Sequence, residues 1–410
     1  MKFIGYSECK SEKTRQWQYT MKMQNINSKT MKAANARMVL NTIRRDNQIS
    51  RKALGEKTGL TMGTITNLTQ SLMAKHYIVE SGSGESMGGR RPVFLEINAN
   101  AGYVVGLELE ASGLTCVLSD FKGKILVDRY ESICRVDDKE KIIAQMASLF
   151  ERSVQAAGVS HDAILGLGLA IPGPCDYKNG ILLNPPNFPG LVNVPLRQIL
   201  SERLGVPVYA SKETSCAVLS EHWFGNCAGH KRLFGVTVGR RGIGGALVLN
   251  GDIFQESEGE SMDIGHTIVQ LDGRPCPCGS FGCLEVHASG EAACLYAQER
   301  SGREWSFEEL AAGAAQGQEA CVEAVKTCAF YISVALGNVV SLLSPQSIFL
   351  GGEFMEACPL LFQKTVEYME RRSYPAGVRS ANKCGFTYKN LSGAVGGLSL
   401  VFDAMSRTIL

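Results

Sequence analysis

The chain has 410 residues, 45% of them hydrophobic and 20% charged, a globular composition too long for one compact core, so two or three domains are expected. No apolar run near the roughly 18 residues of a membrane span stands out, and the basic residues 1–22 never become an apolar signal core, so a cytoplasmic protein with no membrane partner is expected. The near-neutral total hides an asymmetry: residues 1–100 carry 16 Lys and Arg against 7 Asp and Glu, and the remainder carries 26 against 33, a basic head on an acidic body that suits a polyanionic partner.

Residues 1–30 read as a basic N-terminal segment. From Ala33 to Asp46, Ala36, Val39, Leu40 and Ile43 recur at helical spacing. Ser50 is placed to cap a short helix with Leu54 facing inward, Gly59 supplies a turn, and Thr61 is placed to cap a further helix. There Ile65, Leu68 and Leu72 form the buried stripe. Its other face carries Thr64, Thr66, Asn67 and Gln70, polar and without acid, which suits a major groove. Tyr77–Glu80 and Val93–Ile97 are predicted strands around a Gly/Ser-rich loop in which Arg90 and Arg91 can reach a phosphate or a narrow minor groove. Residues 31–98 are therefore predicted to be a winged helix-turn-helix domain. Its double-stranded operator DNA would be met by Ser50, Arg51, Thr61, Thr64, Thr66, Asn67, Arg90 and Arg91. The plainer reading is a small three-helix domain with a polar surface.

The rest reads as α/β. Residues 103–131 hold three short strands, followed by a helix over Lys139–Ala157 and a buried strand near Ala163–Ala170. A similar series starts at residue 233 and runs through a turn at Asn250-Gly251 to a long helix, Glu319–Leu343, and a strand at Ser347–Leu350. Two related lobes are expected, at 99–215 and 216–410, with the C-terminal helix packing on the first and a ligand in the cleft between them. Gly-rich turns at Ile171-Pro172-Gly173, Gly242–Gly245 and Gly351-Gly352 suit sugar or nucleotide binding ancestry.

The 14 cysteines are mostly scattered among apolar neighbours, as at Cys116, Cys216, Cys294 and Cys328, where a thiol packs as a small hydrophobe. One cluster differs. Cys276, Cys278 and Cys283 share a Gly/Pro-rich loop, with His266 just upstream. Three thiolates and an imidazole make a closed tetrahedral set for structural Zn2+, with no open position for a catalytic water. Three reduced thiols, or an iron–sulfur cluster, are the alternatives.

The segments LGLGLAIPG, GRRGIGGALVLNG, DIGH and CPCGSFGCLE, behind a winged head, resemble the ROK family of repressors, open reading frames and sugar kinases, from about Ala33 to the end. The resemblance implies two actin-like (ribonuclease-H-like) α/β lobes and assembly as a homodimer or homotetramer. With such a head, it implies a transcriptional repressor answering to a sugar or sugar phosphate, of the xylose or N-acetylglucosamine repressor type. It also implies a sugar site at Asn187, Lys212, Glu213, Asp263, His266 and Glu285. Kinase members carry an Asp-x-Gly-Gly-Thr loop where this chain has Glu108-Leu109-Glu110-Ala111-Ser112, and an Asn-Asp pair where it has Lys212-Glu213. Lost glycines and an added carboxylate disfavour polyphosphate, so no catalytic residue is expected. An ATP-dependent sugar kinase with an appended DNA-binding head is the second reading, and an activator using the same head the third. Lys212 adds the expectation of an anionic effector.

Overall fold

The computed structural model describes residues 28–83, 93–110, 112–133, 137–225, 230–249, 252–254, 262–371, 381–385 and 387–408. Most of the N-terminal segment, Arg90 and Arg91 of the expected wing loop, Ala111, and the expected turn at Asn250-Gly251 lie outside the described residues. The head consists of α1 (Ser28–Asp46), β1 (Ile49–Ser50), α2 (Arg51–Thr58), α3 (Met62–Ala74), β2 (Ile78–Ser83) and β3 (Val93–Ile97). Its small sheet has the order β1-β3-β2, antiparallel throughout. The predicted stripes are the ones buried: Ala36, Val39, Leu40 and Ile43 of α1 and Ile65, Leu68 and Leu72 of α3. Gly59 turns the chain between α2 and α3 at φ 73°, a left-handed conformation that suits glycine.

The first lobe follows, with β4 (Tyr103–Leu109), β5 (Gly113–Asp120), β6 (Ile125–Ser132), α4 (Lys139–Ala157) and β7 (Ile164–Ile171). After these come the short paired strands β8 (Cys175–Asp176) and β9 (Ile181–Leu182), then α5 (Leu196–Leu204) and β10 (Val208–Lys212). Helix α6 (Glu213–Trp223) leads into the second lobe, built from β11 (Arg232–Val238), β12 (Ile243–Leu249), β13 (Asp252–Ile253), α7 (Leu284–Ala288), α8 (Gly290–Ser301), α9 (Phe307–Ala315) and α10 (Glu319–Leu343). It continues through β14 (Ser347–Gly351), α11 (Glu353–Ala357), α12 (Pro359–Arg371), β15 (Asn382–Gly385) and the last helix, α13 (Ser392–Thr408).

The two five-stranded sheets run β6-β5-β4-β7-β10 and β13-β12-β11-β14-β15. In each, the first three strands are antiparallel neighbours and the last two join in parallel. The same topology twice is the duplication expected from the repeated strand and helix pattern. Strands β4, β5, β7 and β14 are buried along nearly their whole length, because helices or loops cover both faces.

One expectation needs correcting. Helix α10 is long and apolar enough, by length and composition, to cross a membrane. It serves as a core helix: Cys321, Ala324, Val325, Cys328, Ala329, Ile332 and Leu336 are buried, and α7, α8, α9 and α12 pack around it. The periodicity of a buried helix and the composition of a span overlap here. Cys116, Cys216 and Cys328 are free and buried, as their apolar surroundings predicted.

Two helices fill the seam between the lobes. Helix α13 lies on β4, β7 and β10 of the first lobe, α6 lies against β11 and β12 of the second, and the two pack on each other. The contact is backbone to backbone. A Cβ at Gly106 or Gly168 would overlap the carbonyl of Ala394 or Gly397, and one at Gly396 would overlap Cys216. The C-terminal helix thus packs on the first lobe. The head shares a core with it: Leu40, Ile43, Leu72 and Ile97 belong to one apolar cluster with Val104, Val117, Phe121, Ala394, Leu398 and Phe402.

Candidate functional site

The 3-10 turn Ile264–His266 brings His266 to the cysteine loop. Bridges between Ile268 and Cys283 and between Pro275 and Phe281 fold that loop back on itself. Gly279 and Gly282, at φ 90° and 72°, make the reversals that an L side chain would resist. His266 Nδ1 lies 3.7 Å from Cys276 Sγ, and Cys278 Sγ 3.7 Å from Cys283 Sγ. One ligand atom from each of the four residues falls within 4.8 Å of every other. Sulfurs about 2.3 Å from a tetrahedral zinc stand about 3.8 Å apart, so the spacing fits a single ion. The cluster can therefore hold a metal.

A frame that sequence reading missed surrounds the loop. Buried His287 accepts the Arg274 N–H at Nε2 (3.2 Å) and shares a hydrogen bond with the Tyr296 hydroxyl at Nδ1 (2.9 Å). Arg274 stacks 4.2 Å over the Tyr296 ring and bonds Glu299 at 2.6 Å. Only the composition His-Ala-Ser after the GCLE run hinted at it, and nothing in the spacing separates such a histidine from a ligand.

The second group lies where the lobes meet. Lys212, the last residue of β10, forms an ion pair with Asp263 of the second lobe. Glu213 opens α6, and its carboxyl is pushed up to about 7 by burial first and the Glu110 charge second, against the pull of Lys212. Glu108 sits at the end of β4, buried, and accepts the Ala394 N–H at the start of α13 at 3.1 Å. Burial drives its carboxyl well above the usual range, with Glu110 and Glu213 adding to the effect. Glu110 is raised by burial as well, and the Ser112 hydroxyl donates to it at 3.3 Å. Glu285 accepts the Ile243 N–H at 3.3 Å, tying α7 to the Gly-rich turn. Among the described residues, Lys212 and Asp263 meet directly, while the Glu110 charge raises both Glu108 and Glu213, and Glu213 also raises Glu108. Asn187 stands exposed in the loop after β9, with no hydrogen bond to this group.

In the head, Ser50 caps α2 by accepting the Ala53 N–H at 3.2 Å, and Arg51 bonds Thr69 Oγ1 at 3.2 Å and Glu80 at 3.1 Å. Both side chains hold the domain together. Thr61 caps α3 by accepting the Thr64 N–H at 3.3 Å, and the Thr66 hydroxyl donates to the Met62 carbonyl at 2.8 Å. Asn67 and Gln70 are exposed on the same helix.

The architecture is a short helical head followed by two α/β lobes of one topology. Residues 104–403 match the ROK family, and the chain belongs to it. It is 31% identical to a xylose repressor of Caldicellulosiruptor bescii over 85% of this chain and 90% of that one. A crystal structure of a ROK family transcriptional regulator, a homologue of the Escherichia coli Mlc protein, superposes with TM-score 0.77 at 24% identity, covering 93% of this chain and 98% of the other. The ROK hexokinase of Thermus thermophilus superposes with TM-score 0.63 at 26% identity, covering 74% of this chain and 99% of its own.

Proposed function

We infer that the chain is a sugar-responsive transcriptional repressor, in which an effector held between the lobes changes the affinity of the head for operator DNA. The observation that carries this reading is the extent of the likeness to the xylose repressor, which spans 85% of this chain and 90% of that protein. The hexokinase, by contrast, is covered almost in full yet leaves part of this chain unmatched. In this reading Thr61, Thr64, Thr66 and Asn67 meet the major groove and Arg90 and Arg91 the phosphates or minor groove, with Ser50 and Arg51 setting the pose of α2 and α3. Residues 31–98 act as the DNA-binding unit and 99–215 and 216–410 as the lobes.

The sugar is held by Lys212, Glu213, Asp263 and Glu285, with His266 and Asn187 at the edges, since carboxylates and an imidazole bond vicinal hydroxyls. Lys212 already has Asp263 as its counter-ion, and Glu108, Glu110 and Glu213 crowd the same cleft. Such surroundings favour an uncharged sugar over the anionic effector that Lys212 alone suggested. His266, Cys276, Cys278 and Cys283 would hold Zn2+, which supplies closed coordination and so fastens the loop beside the sugar site.

Kinase chemistry finds no support in this cleft. Glu108 takes backbone N–H at the start of α13 for itself, and three carboxyls converge where polyphosphate would need positive charge. The test has two arms. Duplexes selected from a random library by the purified protein should bind with an affinity that falls steeply with salt, and a panel of neutral sugars should contain one that releases them. Failure to retain any duplex at low salt sinks the reading, and sugar-dependent release of ADP from ATP would establish the kinase instead.

A further inference from the structure

The seam between the lobes is bridged at both ends. In the cleft the bridge is Lys212 to Asp263. From there α6 runs 11 residues from Glu213 to Trp223, about 16 Å at 1.5 Å per residue. Helix α13 runs beside it, from Gly393 and Ala394 at Glu108 to Phe402 and Asp403. At the far end the seam emerges beneath α1.

There α1 places two arginines across it. Arg37 Nη2 lies 2.5 Å from Asp403 Oδ1 on α13, which is seated on the first lobe, and 2.7 Å from Asp252 Oδ1 on β13, the edge of the second-lobe sheet. The Arg44 guanidinium lies 4.4 Å from the Phe402 ring of α13, 5.4 Å from Phe121 of the first-lobe hairpin and 5.6 Å from Trp223 of α6. Its hydrogen bonds go to the Phe121 carbonyl and Asn41 Oδ1, each at 3.3 Å. An exposed ion pair such as that of Arg37 holds little by itself. Arg44 is buried, and a cation seated on three rings is held by their joint geometry.

A rotation of the lobes would separate Asp252 from Asp403 and Trp223 from Phe402. Arg37 can then keep one carboxylate and Arg44 the rings of one side, so α1 follows one lobe and shifts against the other. At Gly106, Gly168 and Gly396 the contacts of α13 with β4, β7 and α6 are backbone to backbone, so at those three points no side chain can re-pack to absorb the shift. We propose that α1 reads the angle between the lobes through Arg37 and Arg44, so that a ligand competing for the Lys212–Asp263 bridge is reported to the head as a tilt of α1. What the head then does rests on the repressor reading; the coupling is a property of this chain alone.

The test needs neither DNA nor sugar. In full-length protein carrying Trp17→Phe and Trp305→Phe, Trp223 emission and hydrogen exchange of the α1 amides are followed as Lys212→Met cuts the cleft bridge. The expected result is a change in α1 exchange of roughly five- to tenfold, the lower end of couplings between linked sites, with a shift in Trp223 emission. Adding Asp252→Asn, which frees Arg37 from the second lobe and leaves Asp403, should give a change smaller than the sum of the two. Arg44→Met should in turn alter exchange in β10 and in the turn at Ile264–His266, by reciprocity. Should Lys212→Met fail to fold, Asp263→Asn cuts the same bridge. Changes confined to the cleft, with α1 and Trp223 as in the parent, overturn the proposal, as does strict additivity of the two substitutions. Loss of operator binding in the parent protein would count against the repressor reading and leave this result intact.

Discussion

Glu213 stands between opposed influences, with burial and Glu110 on one side and Lys212 on the other, and its carboxyl settles at about 7 against an ordinary 4.5. Between those values the folded chain keeps a proton that the unfolded chain has released, so its contribution to stability is full below about 4.5 and is lost as the pH rises towards about 7. Glu213→Gln should therefore flatten the fall in Tm between pH 5 and pH 7; an unchanged slope in the variant would place the titration elsewhere. Sequence reading found Lys212 and Glu213 because they replace residues of known kind at a strand end. It read Glu108 as standing in place of the aspartate of the kinase loop, and in the structure Glu108 bonds the N–H of Ala394, 286 residues away. No local pattern announces a partner that distant. Arg51 shows the converse: a basic residue at a helix start invites assignment to DNA, yet Thr69 and Glu80 hold it.

At the scale of elements, a metal held by the cysteine loop would staple a segment with almost no regular structure between the Ile264–His266 turn and α7. Metal ligands contribute most where the chain lacks other reasons to fold. Cys278→Ser, or chelation of the parent protein, should lower Tm by about 4–8 °C, the shift that ~2 kcal/mol produces in a domain of 150–250 residues. Purified protein that carries no metal, with a Tm that chelation leaves unchanged, would mean that the thiols are simply reduced. The loop was legible because its four donors lie within 18 residues of one another. Its supporting frame of His287, Arg274 and Tyr296 was not, since those residues meet through α7 and α8. Helices announced by caps and inward residues, such as α2 and α3, fell where their residues predicted. Short edge strands such as β13 and β15 carry too few side chains for a periodic signal, and α10 satisfied two descriptions at once until its neighbours decided between them.

For the whole molecule, the decisive feature is the common core of head and first lobe. A head on a flexible tether could be removed without consequence. Here Tyr77 stacks on Phe121 at 5.2 Å, and Lys122 pairs with Glu96 at 3.4 Å. Truncation to residues 99–410 should uncover Phe121, Phe402 and the Arg44 seat, lower Tm and promote aggregation, whereas the full chain should show the head melting with the first lobe. Scanning calorimetry distinguishes the two: an early, separate transition of the head would contradict the shared core. Sequence composition divided the chain into a basic head and an acidic body, and that division is one of charge; the packing does not respect it. There is also an order in time. Helix α13 completes the sheet that begins with β4, yet it is made only after the 286 residues separating Glu108 from Ala394, roughly 15 to 60 s of synthesis at ordinary elongation rates. Until then the strands of the first lobe and the underside of α1 lack their cover, so a nascent chain cannot present a seated head before its second lobe exists. A fragment cut short by premature termination would carry α3 without the mount that aims it.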